Sequence, residues 1–150
     1  MKKLLIAIAF LSCGFYTAEA QSKPEFKVIT VVESIVPGGL GRSRLIDSKT
    51  QLDINEFTTE RTDGKKSDQG KVKRGDAKID QFEESKLLNF YSVVGINFQN
   101  IASNDALITS KLNEMATEGW ELVYVTSAAE SDAGKQDGDG IYITRFIFKK

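Results

Sequence analysis

The chain of 150 residues contains no histidine, and its single cysteine, Cys13, falls within the first twenty positions. Without an imidazole, the side chain that titrates near neutral pH is missing. A zinc site would have neither nitrogen nor thiolate ligands beyond Cys13. No intramolecular disulfide can form from one cysteine. The longest wholly apolar stretch, Leu4 to Leu11, is too short to span a bilayer as a helix. Charge of one sign is also lacking: 20 basic residues face 21 acidic ones. Nucleic-acid binders carry a basic excess on one face, so that class is disfavoured.

What is present begins at the amino terminus. Met1-Lys2-Lys3 is a basic start, Leu4 to Leu11 an apolar core, and Ala18-Glu19-Ala20 a small-residue cleavage site. This pattern predicts a cleaved secretory signal over residues 1–20 and a periplasmic or secreted mature chain from Gln21. A second reading takes Cys13, in Phe10-Leu11-Ser12-Cys13-Gly14, as a lipid-anchor site. Such sites usually have an aliphatic residue three before the cysteine, where this chain has Phe10. Losing Lys2, Lys3 and Glu19 leaves 18 basic and 20 acidic residues, a net charge of −2. With 41% hydrophobic and 27% charged residues, the chain has a globular balance, and residues 21–150 match one domain.

Hydrophobic patterning predicts an α+β fold: an antiparallel sheet of about four to five strands with one main helix packed on one face. Phe26 to Val36 alternates as a strand, and Pro37-Gly38-Gly39 ends it. Arg42 to Asp47 is a candidate return strand, and Leu52, Ile54 and Phe57 hint at another. From Glu60 to Asp80 the apolar signal nearly vanishes, and seven basic residues stand against four aspartates and Glu60. A mobile charged loop or long hairpin tip is the plain account; a contact for an acidic partner is the sharper one. Phe90, Val94, Ile96 and Phe98 predict a half-buried strand over Leu88 to Phe98. A helix follows near Asn104 to Glu118, capped by Ser103 or Asn104. Its core stripe is Ile108, Leu112 and Met115, extended by Ala116, while Lys111, Glu114 and Glu118 point elsewhere. Gly119 is placed to end the helix in the left-handed region, with Trp120 folding back on Met115. Trp120 to Thr126 and Ile141 to Phe148 then form an antiparallel hairpin, with Trp120, Leu122 and Tyr124 sharing a face.

The run Leu112-Asn113-Glu114-Met115-Ala116-Thr117-Glu118-Gly119-Trp120-Glu121-Leu122-Val123 resembles the signature of a family of short bacterial domains of unknown function. That signature is Leu-Asn, five residues, then Gly-Trp-Glu and an apolar strand, and the likeness covers roughly the last 60 residues. The resemblance implies a strand, a helix and a terminal hairpin ending in basic residues, as Lys149-Lys150 do here. It brings no activity or cofactor. The family's opening strand corresponds either to Glu25 to Ile29 or to Phe90 to Val94. On the first choice Pro37 to about Ser85 is an insertion; on the second the amino-terminal half is an extra sheet layer or a second copy. Leu112, Met115, Gly119 and Trp120 have a structural account as helix–sheet packing and a tight exit. Asn113 and Glu121 are polar enough to serve a site, although turn bonds or solvent explain them equally.

Chemistry has three candidate locations. Gly38, Gly39 and Gly41 expose backbone N–H groups beside Arg42 and Arg44, a combination able to hold a small anion. A glycine-rich turn with two surface arginines is the plainer account. Asp132, Asp137 and Asp139 invite calcium but lack the distal glutamate of an EF-hand, and an Asp-Gly hairpin connection explains them. Glu83, Glu84, Asp137 and Asp139 are the carboxylates from which a hydrolase would have to be built. The expected function is a non-enzymatic module without cofactor that binds an unknown protein or envelope component. An anion or small-ligand binder is the alternative, and a carboxylate hydrolase a distant one.

Overall fold

The computed structural model describes residues 23–35, 43–130 and 140–150. The predicted signal, Gly38 to Arg42 and the Asp132 to Asp139 connection lie outside the described residues. The architecture is α+β: one main helix and a five-stranded antiparallel sheet. In chain order the elements are β1 (Phe26–Ser34), β2 (Arg44–Asp47), β3 (Arg61–Thr62), β4 (Lys66–Ser67), β5 (Glu83–Lys86), β6 (Tyr91–Ser92), β7 (Gly95–Ile96), the helix α1 (Phe98–Thr117), β8 (Glu121–Glu130) and β9 (Ile141–Lys149). The main sheet has the order β5-β2-β1-β9-β8.

Antiparallel partners share a face, so register assigns the core. Ile29 pairs with Phe146 and Asp47, Val31 with Thr144 and Leu45, and Lys27 with Phe148. Ile29, Val31, Leu45 and Phe148 are buried with Met115 of α1 and Leu87, so this is the helix-covered face. Ile108, Leu112, Trp120 and Phe146 pack around them, as the predicted stripe requires. Ala116 does not extend that stripe; it is exposed. On the opposite face of β1, Phe26 and Val28 are exposed, so the strand is not covered on both sides there.

The helix starts earlier than its sequence suggests. Asn97, not Ser103 or Asn104, caps it by accepting from the N–H groups of Gln99 (3.0 Å) and Asn100 (3.2 Å). Asn104 is an interior residue, fully buried. The carboxyl end matches expectation: the Gly119 N–H donates to Ala116 O (3.0 Å) and the Trp120 N–H to Met115 O (2.9 Å). This is the Schellman pattern, and Gly119 takes the positive φ (85°) it demands. Lys150 Nζ adds a bond to Glu118 O (2.7 Å) while sitting 5.7 Å from the centre of the Trp120 ring.

Two expected elements are corrected. Leu88 to Phe98 is no strand: β6 and β7 form a minimal hairpin whose tip residues, Val93 and Val94, are 89% and 96% exposed. The preceding Leu88 and Asn89 are held instead by polar side chains of α1 and of Ser43, the residue before β2. The hinted strand at Leu52, Ile54 and Phe57 is a 3-10 turn, Ile54–Phe57, because Asp53 Oδ1 accepts from the Asn55 N–H (2.9 Å). In the charged stretch, β3 and β4 close a small hairpin around Asp63 and Gly64, both at positive φ. Asp63 Oδ1 braces it by accepting from the N–H groups of Lys65 (3.1 Å) and Lys66 (3.2 Å).

The terminal hairpin β8–β9 is antiparallel as expected, with one difference. Leu122 pairs with Phe148 and Tyr124 with Ile147, so Val123 is an extra residue in a bulge. Leu122 and Tyr124 therefore lie on opposite faces, not the same one, and Val125 rejoins the helix-covered face opposite Phe146.

Candidate functional site

Among the proposed anion-site residues only Arg44 is described. It lies on β2 opposite Lys86, its Nη1 donates to Ser43 O (2.8 Å), and its Nε is 3.7 Å from Glu84 Oε1. Its guanidinium is thus engaged within its own sheet. Glu83 and Glu84 occupy successive positions on β5 and so point to opposite faces. Glu83 pairs with Lys49 (2.6 Å), which raises the Lys49 ammonium above its usual range. The two carboxylates do not converge. Of the signature residues, Leu112, Met115 and Trp120 are in the core. Asn113 is exposed, with its backbone carbonyl accepting from Thr117 Oγ1 (2.8 Å), and Glu121 opens β8 opposite Lys149. Among the described residues no cluster of three or more histidine, cysteine or acidic side chains could hold a metal, and no helix is long and apolar enough to cross a membrane.

Two polar clusters are brought together that the sequence did not announce. In the first, Asp47, only 2% exposed, lies between Lys27 of β1 and Lys111 of α1. Lys27 Nζ donates to Asp47 Oδ2 (3.1 Å), and Lys111 Nζ is 2.8 Å from the same oxygen and 2.9 Å from Glu114 Oε1. Oδ1 is 2.9 Å from Lys27 Nζ without hydrogen-bond geometry, so charge alone holds it. Burial would raise the Asp47 carboxyl, but the two ammonium groups outweigh it and hold the group below its usual range. Lys111 is not directed to solvent as expected: its side chain is 12% exposed. Burial would depress its ammonium, but Asp47 and Glu114 raise it above the usual value. Lys27 also borders an open groove of about 460 Å³ shared with Lys49, Glu25, Glu118 and Trp120, where both charge signs are interspersed.

The second cluster braces the chain between β5 and β6. Asn104 Oδ1 accepts from the Leu88 N–H (2.8 Å), and its Nδ2 donates to Leu88 O (2.8 Å) and Glu33 Oε1 (2.9 Å). Nearby, Ser43 Oγ accepts from the Ser34 N–H (2.9 Å) and donates to Asn89 Oδ1 (2.7 Å). Asn100 Nδ2 donates to Asn89 O (2.8 Å). Burial pushes the Glu33 carboxyl above its usual range; the Asn104 bond pulls it back, and the charge of Asp105 adds to the rise. A carboxyl raised by folding contributes stability below its unfolded pKa, and that contribution is lost as pH rises through the folded value. Glu33→Gln keeps the acceptor for Asn104 but removes the charge. Urea unfolding should show it more stable than the parent at pH 7 and equal to it in strong acid; a loss of stability at pH 7 would contradict this.

The least explained surface is the outer edge of β8. Every residue from Glu121 to Ala129 is exposed. Leu122, Val123, Tyr124 and Val125 are consecutive apolar residues at 42%, 44%, 61% and 44% exposure. β8 contains no cation and no proline over its ten residues. Sheets normally blunt their edges with short strands, charge or proline. The opposite edge of this sheet does so: β5 has four residues, of which Glu83, Glu84 and Lys86 are charged. β8 has a bulge at Val123, near its start, and a glutamate at each end, with no charge between them.

No known family model, curated protein or solved structure matches this chain.

Proposed function

We propose that the chain is an exported, non-enzymatic interaction module that binds a protein or another component of the cell envelope. One observation carries the reading: the long, apolar, cation-free edge of β8 stands open to solvent while the other edge of the same sheet is blunted by charge. An extended segment added to such an edge gains main-chain hydrogen bonds, and side chains on alternate faces supply selectivity. The basic, apolar and small-residue pattern of Met1 to Ala20 supports export. Asp47 and Glu33, the inward carboxylates described above, are committed to ion pairing and to bracing α1.

The likeness of Leu112 to Val123 to short bacterial domains belongs to the same proposal. Under it, β1 is the family's opening strand, because it pairs directly with β9 of the terminal hairpin. Residues from Pro37 to about Ser85 then form an insertion whose strands β2 and β5 widen the sheet on the side away from β8.

A photo-reactive residue placed at Thr126 on β8, or at Ser85 on β5, tests the working edge in cells producing the full chain. Adducts should form from position 126 and not from 85, on a protein whose mass begins at Gln21. Equal labelling from both positions, or none from 126, would sink the reading.

A further inference from the structure

Resting on the reading of β8 as the working edge, we infer that the strand it accepts is β8 of a second copy, joined antiparallel about a two-fold axis into one continuous sheet. The sequence of the edge is compatible with itself. Beyond the bulge, the regular stretch runs from Tyr124 to Glu130. Centring the axis on Ser127 sets Ser127 against its own copy, Thr126 opposite Ala128, Val125 opposite Ala129 and residue 124 opposite residue 130. The only charged residues of β8, Glu121 and Glu130, never meet each other in this register. Small side chains at the centre leave no bulky cross-strand pair on the axis, while Val125 on one face and Tyr124 on the other lie near the ends of the ladder.

Closure favours the copy over open-ended stacking. Pairing β8 with β5 of another molecule would continue indefinitely, since each molecule would keep a free edge of each kind. The four-residue, charged β5 opposes that assembly. Pairing β8 with β8 uses one patch twice and leaves only the blunted β5 edges at the ends of the sheet. A single strand-to-strand ladder of this length is a small contact beside the roughly 1,200 Å² at which specific interfaces begin, so the dimer is reversible.

Sedimentation velocity over a concentration series tests this with the purified protein. The parent should pass from monomer to dimer at high micromolar concentration. Ser127→Lys and Ser127→Glu each put like charges on the axis and should weaken the dimer at least tenfold. Mixing the two variants should restore a dimer, because opposite charges then meet. Amide exchange on the unsubstituted protein gives an independent reading: protection of Tyr124 to Ala129 should rise with concentration. A parent that stays monomeric, or a dimer indifferent to both charges, overturns the inference. If position 126 still labels a different envelope protein under those outcomes, the interaction reading survives; if it labels nothing, both fall.

Discussion

Asp47→Ala should lower stability by about 3–5 kcal/mol, the usual consequence of removing one partner from a buried ion pair. Lys27 and Lys111 would then face each other across a site from which water is largely excluded, with only Glu114 left beside Lys111. The pH dependence gives a second, independent signature. Folding depresses the Asp47 carboxyl, so its contribution is present above the unfolded pKa and is lost as pH falls through the folded one. Urea midpoints of the parent should therefore fall in acid, and this part of the fall should be missing in Asp47→Ala. A combined Lys27→Met, Asp47→Leu, Lys111→Met replacement should recover most of the loss, since apolar residues of similar volume often replace such triads without cost. If the single substitution proves as mild as the triple one, the cluster is not holding α1 against β1 and β2.

Asn104→Leu carries the second large effect. The two side chains are close in size, so little cavity forms. The change leaves the Leu88 N–H and C=O without their partners and strips Glu33 of its donor. An orphaned buried polar group costs about 1–3 kcal/mol, which places the total at about 2–4 kcal/mol. Asn104→Asp separates the donor from the acceptor role. It keeps an oxygen for the Leu88 N–H but turns a negative charge toward Leu88 O and Glu33. It should be less stable than Asn104→Leu at pH 7 and regain stability in acid as the carboxylates protonate. Amide exchange at Leu88 should accelerate in Asn104→Leu, where the N–H has lost its acceptor. A protected Leu88 amide in Asn104→Leu would show that the segment is held by something else.

These two residues also show why part of the molecule was illegible. Asn104, Ile108, Lys111 and Met115 fall on one helical stripe. The apolar members marked the core face, but an asparagine near an expected helix start reads as a cap and a lysine reads as solvent. What overrides both habits is tertiary: Leu88 offers backbone groups to Asn104, and Asp47 offers charge to Lys111. The stripe spacing was the available signal. Helix termination at Gly119 and Trp120 was legible because its chemistry is local, needing only a glycine and the residue after it. The hairpin β8–β9 was legible from alternation alone. Its bulge was not, since nothing in Leu122-Val123-Tyr124 distinguishes a slipped residue from a paired one, and the slip reverses which face Tyr124 occupies. The exposed edge of β8 likewise follows from strand order, which alternation does not encode.

The pairing of β1 with β9 has a kinetic consequence. Phe26 lies opposite Lys149, and Glu25 and Lys150 exchange backbone hydrogen bonds of 3.0 and 2.9 Å just beyond them. The middle of the sheet is thus made of the first and the last of the described strands. Contacts of such high sequence separation form slowly, because a large loop must close before any of them is rewarded. A chain lacking β9 has no neighbour for the inner edge of β1 and none for β8, and it lacks Phe148 of the core. Assembly of the five-stranded sheet therefore waits for β9, whose two neighbours are separated from each other by most of the described chain.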